Sequence, residues 1–282
     1  MKIRKDPIKL YLCLIFIVCY GLGILELVTG TGKFYHFLGI SFTFFPVVMA
    51  FLTRRMTGAQ GKFRLSLKVW KDAKSWLFSA FVPGILIALG AVLYFSLFPD
   101  EYSGIFRYGM LLGTDAELVV RSPLLFALVC VVIAAVMIPV QLLELGEEIG
   151  WRGYLLGFQI EKYGRRKAVL INGVEWGLTH LPLIWFGFNY SLDNPGASYT
   201  NMSLMLVVCV VMGILFSYIT IRTGNCMYAA VMHGVANVIG ELPVYMTPDM
   251  ESGLLGPNPT GLVTISFMAV FSILLLVKMK DK

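Results

Sequence analysis

The chain has 282 residues, 57% of them hydrophobic and 14% charged, against about 45–50% and about 25% in a soluble domain. With a mean hydropathy of +0.76, that composition makes lipid the solvent and excludes disordered, collagen-like and coiled-coil architectures. The net charge of +6 does not argue for nucleic acid, because the basic residues sit between apolar runs, where membrane topology accounts for them.

A spanning helix needs about 20 mostly apolar residues. Eight such stretches follow in order: 8–28, 34–52, 77–98, 123–145, 167–189, 201–221, 226–246 and 259–278. The first is too long for a secretory signal and lacks a clean small-residue cleavage site, so it reads as a span. Basic residues precede the first span (Lys2, Arg4, Lys5, Lys9) and fill the second connection (Arg54, Arg55, Lys62, Arg64, Lys68, Lys71, Lys74). They recur in the fourth (Arg152, Lys162, Arg165, Arg166, Lys167), in the sixth (Arg222) and at the end of the chain (Lys278, Lys280, Lys282); only Lys33, Arg107 and Arg121 fall elsewhere. The alternate connections hold acids: Asp100, Glu101, Asp115, Glu117, Asp193, Asp249 and Glu251. This alternation predicts an all-α, polytopic bundle of about eight transmembrane helices in the cell membrane, with both termini cytoplasmic. Segment 53–76, basic with interleaved aromatic and aliphatic residues, reads either as a membrane-surface stretch or as a solvated connection. The stretch 99–122 carries no legible motif. Cys13, Cys19, Cys130, Cys209 and Cys226 form no CxxC pair and read as small buried hydrophobes. The expected organisation is residues 1–120 with the first three spans, a core of spans four to seven over 121–250, and a last span in 251–282.

Ionisable residues inside spans cost about 2.5–3.5 kcal/mol each on insertion scales and tend to face the interior. Here they are Glu26, Glu144, Glu147, Glu148, Arg152, Glu175, His180, His233 and Glu241, and most of them lie in the second half. Glu148 and Arg152 are one helical turn apart and can pair, while Glu147 can point into the bundle. Alone, that group reads equally as a structural Glu–Arg pair. Gly146/Gly150 and Gly153/Gly157 have the small-xxx-small spacing that lets another helix approach. Trp176 and His180 share a face ahead of Pro182, and a single intramembrane histidine is often only a hydrogen-bonding group. His233, Asn237 and Glu241 follow at four-residue steps, a polar stripe that also fits interhelical bonding. Taken together, carboxylates, two histidines and an amide from three helices are the parts needed to activate water and hold an oxyanion. HExxH, GxSxG, GxGD and P-loop patterns are absent.

The three motifs, EExxxR (Glu147, Glu148, Arg152), aromatic-xxx-His (Trp176, His180) and HxxxN (His233, Asn237), resemble those of the CPBP family in order and in span placement over about residues 120–245. That family contains the CAAX prenyl endopeptidases and the Abi-like bacterial proteins linked to bacteriocin processing or self-immunity. The resemblance implies a membrane-embedded, glutamate-dependent endopeptidase acting on a membrane-associated peptide or protein. It assigns Glu147 to water activation, His180 to assisting it, and His233 with Asn237 to the oxyanion hole, leaving Glu148, Arg152 and Trp176 to shape the site. Trp176 stands where the family more often has Phe. No cofactor is expected; zinc on two histidines and a glutamate is conceivable but not favoured. Membrane lipid and a peptide substrate are the expected partners. The polar set at the end of span four places the reaction near the cytoplasmic side. Two other readings share these residues: a non-catalytic scaffold or self-immunity protein, and a proton-coupled carrier, the latter disfavoured because no repeated halves are visible.

Overall fold

The structure, a computed structural model, describes residues 6–59, 63–68, 72–137 and 142–281. Lys2, Arg4, Lys5, Lys62, Val69, Trp70, Lys71 and Lys282, which entered the topology reading, lie outside the described residues. The architecture is helical: α1 (Pro7–Thr29), α2 (Lys33–Ser41), α3 (Phe45–Thr57), α4 (Ala73–Leu97) and α5 (Pro123–Val136) come first. A composite helix α6 follows, running through Leu145–Glu148, a π-helical stretch Ile149–Leu155 and Leu156–Tyr163. The chain then forms α7 (Arg165–Trp185), α8 (Tyr199–Thr223), α9 (Met227–Glu241) and α10 (Leu262–Lys278). Two short strands, β1 (Ile105–Phe106) and β2 (Leu118–Val119), pair antiparallel in the motif-free connection. Three of the described helices, α1, α4 and α8, are long and apolar enough to cross a membrane, and two shorter apolar segments, Pro123–Ala134 and α10, accompany them.

Two expected spans are not continuous helices. The stretch 34–52 breaks between Ser41 and Phe45, where Pro46 occupies the first turn of α3. Proline has no N–H to continue the preceding helix, and its ring disfavours helical backbone in the residue before it. The stretch 123–145 leaves α5 at Val136, and a new helix begins at Leu145; residues 138–141 lie outside the described set. Glu147 therefore sits in the first turn of α6 rather than in a helix continuous with α5.

Local chemistry sets the helix ends. Asp6 caps α1 by accepting from the Ile8 and Lys9 amides, with Pro7 beside it. Asp72 accepts from the Ser75 amide and hydroxyl at the start of α4. These bonds, made to the ionised form, hold the Asp72 carboxyl below its ordinary pKa. Glu26, which had no assignment in the sequence, reaches forward to accept from the amides of Gly32, Phe34 and Tyr35, so its buried carboxylate satisfies the orphan donors at the start of α2.

Cross-chain bonds divide the bundle into two ends. At one end Lys162 pairs with Asp6 at 3.3 Å. There Arg166 also bonds the Val277 and Met279 carbonyls, and its amide bonds Asp281. Residues 63–68 are strapped across the same end, with the Arg64 backbone bonded to Gly153 O and Cys226 N and Ser66 to Asn225. At the other end Tyr190 donates to Thr260 O and Asn258 to Asn189 O, and Arg107 donates to Thr247 O. The basic connections gather at the first end, and the loops 186–198 and 242–261, without a lysine or arginine, gather at the second.

Candidate active site

The site is assembled where α6, α7 and α9 meet. Gly146 and Gly150 allow α6 to press against the α2–α3 junction, since a Cβ at Gly146 would meet Thr43 O and one at Gly150 would meet Pro46. This contact turns consecutive glutamates in two directions. Glu148 and Arg152 are fully buried and pair through Oε1 and Nη1 at 3.0 Å, and the same Glu148 Oε1 meets His233 Nδ1 at 3.0 Å. The Arg152 guanidinium lies 4.3 Å from the Trp176 ring centre and 5.5 Å from that of Phe216. Aromatic faces thus replace part of its lost hydration, and among the described residues its Nε and Nη2 have no hydrogen-bond partner.

Glu147, 3% exposed, takes the other direction. Its Oε1 accepts from the Trp176 indole N–H at 2.5 Å. The Trp176 ring stands edge-on to both imidazoles, each centroid 5.4 Å away. His180 Nδ1 lies 3.0 Å from the Trp176 carbonyl oxygen. A carbonyl only accepts, so Nδ1 carries the proton and Nε2 keeps its lone pair. Phe42 packs on the His180 ring at 4.6 Å and Phe216 on that of His233 at 5.3 Å. Asn237 Nδ2 donates to Glu144 Oε1 at 3.0 Å.

Glu147, His180, His233 and Asn237 line one cavity of about 280 Å³. Glu148 and Arg152 stand behind it, and Trp176 forms part of its wall. The sequence reading underplayed Glu144 and Glu241, which also line it, and missed Gly39, Phe42 and Thr43 from the first 120 residues, where no polar pattern marks them. Single ligand atoms of Glu144, Glu147 and His233 lie within 4.8 Å of one another. That set is the right size for a divalent cation, but the Trp176 N–H already points at Glu147 and the Asn237 amide at Glu144. Glu26 belongs to a helix cap, and Glu175 accepts from Gln159, whose Oε1 in turn accepts from Asn172 at 2.9 Å.

Residues 120–239 match the model of the type II CAAX prenyl endopeptidase Rce1-like family. A stretch of 115 residues, 39% of this chain, is 30% identical to CAAX prenyl protease 2 of Methanococcus maripaludis and spans 41% of that relative. The matched residues 120–239 hold all three motifs, and over them the chain is similar to the type II CAAX prenyl endopeptidase Rce1-like family.

Proposed function

We propose that the protein is a multi-pass intramembrane endopeptidase that hydrolyses a peptide bond in a membrane-associated peptide or protein. The observation that carries this reading is the single cavity shared by Glu147, His180, His233 and Asn237, four side chains from three helices. In the proposed reaction the free oxygen of Glu147 accepts a proton from water as the water oxygen attacks the scissile carbonyl carbon. Trp176 holds the other carboxylate oxygen and so fixes its direction. The lone pair on His180 Nε2 helps orient the attacking water. His233 and Asn237 donate to the oxygen that becomes negative, for which His233 needs a proton on Nε2 while Glu148 holds the one on Nδ1. Collapse of the tetrahedral intermediate breaks the C–N bond, and the proton taken by Glu147 passes to the departing amine. The products are a carboxylic acid and an amine, and transfer of the acid's proton leaves a carboxylate and an ammonium group.

The reading is metal-free. A cation between Glu144, Glu147 and His233 would face the Trp176 N–H and the Asn237 amide protons, which point to the same carboxylates and repel positive charge. Activity of the purified protein is expected to survive strong zinc chelation. Loss on chelation with recovery on adding zinc would reverse this.

The direct test is turnover of a candidate membrane peptide by wild type and Glu147→Gln. Removing a general base is expected to lower kcat by about 10²–10⁴-fold, with unchanged thermal unfolding in detergent. Equal turnover by the two proteins rejects Glu147 as the base.

A further inference from the structure

Residues 63–68 are tied to the two helices that supply Glu148, Arg152 and His233. The Arg64 amide donates to Gly153 O, next to Arg152 in the π-helical stretch of α6, and the Arg64 carbonyl accepts from the Cys226 amide, just ahead of α9. Asn225 brackets Ser66, accepting from its amide at 3.0 Å and donating to its carbonyl at 2.8 Å. The same Asn225 oxygen accepts from the amide of Met227, the first residue of α9, at 3.1 Å. One short segment thus bridges α6 and α9, the helices that the Glu148–His233 contact joins at the site.

The outer side of this strap has a different character. Its sequence, Phe63-Arg64-Leu65-Ser66-Leu67-Lys68, alternates apolar and polar residues at the two-residue period of extended chain. Phe63 packs on Phe51 of α3 at 4.9 Å and on Tyr154 of α6 at 5.4 Å. Leu65 and Leu67 are 38% and 68% exposed, beside exposed Lys68. Exposed leucines interleaved with basic residues are the composition of a segment that lies in the membrane interface.

The neighbouring helices place the strap at that depth. α3 exposes Phe44, Val48, Phe51 and Leu52, then carries Arg54 and Arg55 in its last turn. α10 repeats the change, from exposed Ile273, Leu274 and Val277 to Lys278. Apolar surface giving way to lysine and arginine marks the level of the lipid headgroups. The Arg54 guanidinium lies 5.4 Å from the Phe63 ring centre, so the strap starts at that level. Arg54, Arg55, Arg64 and Lys68 make no ion pair among the described residues. Glu161 attracts Arg64 and Arg165 repels it. Nearby acids have other partners: Asp6 pairs with Lys162, Asp72 caps α4 and Asp281 accepts from the Arg166 amide.

We infer that the strap 63–68 is a docking surface for anionic phospholipid, with Arg54, Arg55, Arg64 and Lys68 at the phosphates and Leu65 and Leu67 against the acyl chains. Its inward bonds to α6 and α9 make the site sensitive to that contact. The sequence left segment 53–76 open between a membrane-surface stretch and a solvated connection, and the strap selects the first. The lipid contact stands apart from the proposed hydrolase function; only its effect on turnover rests on that function.

The contact is tested without turnover. Full-length protein is placed in nanodiscs of phosphatidylcholine alone or of phosphatidylcholine with phosphatidylglycerol, and amide hydrogen exchange of strap peptides is compared. Exchange about fivefold or more slower with phosphatidylglycerol is expected, the worth of one cation at an anionic surface. The slowing is expected to shrink in Arg64→Gln/Lys68→Gln. Equal exchange in the two discs overturns the inference. Glycerol 3-phosphate added to the phosphatidylcholine discs is expected to have no effect, and slowing by it would assign the strap to free phosphate and overturn the lipid assignment. For the coupling, wild type is expected to turn over a candidate peptide faster in the phosphatidylglycerol discs. Asn225→Ala leaves every cation in place and is expected to keep the slowed exchange while losing that lipid dependence. Ser66→Pro, which lacks the amide that Asn225 accepts from, provides the same test should Asn225→Ala fail to fold. Turnover equal in the two discs, or lipid dependence that persists in the variants, overturns the coupling. Slowed exchange in a wild type that turns over nothing in either disc upholds the lipid contact and rejects the hydrolase reading instead.

Discussion

Trp176 touches several parts of the site. Its N–H fixes Glu147, its carbonyl fixes His180, its edge contacts both imidazoles and its face carries Arg152. A phenylalanine at this position fills most of the same volume but has no N–H to offer. Trp176→Phe is therefore expected to leave the fold intact and to lower kcat about 10–100-fold, the worth of one hydrogen bond to a charged group. Steady-state kinetics beside a thermal melt in detergent check this, and unchanged kcat would show that Glu147 does not depend on the indole. The two adjacent glutamates have separate surroundings for a related reason. A buried carboxylate facing a guanidinium is stabilised by it, whereas breaking such a pair leaves an uncompensated charge at a cost of about 3–5 kcal/mol. Glu148 is held in that pair, which leaves Glu147 to face the cavity.

Among the helices, α6 does most to build the site. Its first turn presents Glu147 and Glu148, and its π-helical stretch, a feature often found at functional sites, contains Arg152. Asn172 holds this stretch from α7 by donating to Trp151 O at 3.3 Å and to Gln159. The α2–α3 junction rests on Gly146 and Gly150 and delivers Phe42 and Thr43 to the cavity. Gly146→Val would drive a side chain into the Thr43 carbonyl. Overpacking of this kind costs about 1–3 kcal/mol, and moving the junction also moves Phe42 off His180. Both a lower melting temperature and lower turnover per folded molecule are expected. A melt unchanged from wild type would show that the junction yields without strain. The second glycine pair behaves differently: Gly153 is tight against Cys226, but a Cβ at Gly157 would meet only ordinary contact with Arg64.

At the scale of the whole molecule the helices sort charge between two ends. The Lys162–Asp6 pair, the Arg166 bonds to the last turn of α10 and the Asn225–Ser66 bonds bring both described termini and the basic strap together. A reporter fused to either terminus is therefore expected to be protected from external protease in intact cells and cut after lysis. Cleavage of either reporter without lysis would reverse the orientation expected for the bundle.

The helical class, the membrane setting and the short list of polar residues worth following were legible in the residue order. Each depends on local properties: apolar run length, the placement of lysine and arginine, and the cost of an ionisable group in lipid. The grouping of Glu148 with Arg152 was legible too, because one helical turn fixes it. The breaks at Phe42–Phe44 and before Leu145, the bond from Trp176 to Glu147 and the part played by Phe42 were not, because each depends on where one helix crosses another. The surroundings of Glu147 were decided in the same way. Glu147 has the same neighbours in sequence whether it ends one helix or begins the next, and only the packing of α6 against α3, α7 and α9 determines which side chains it meets.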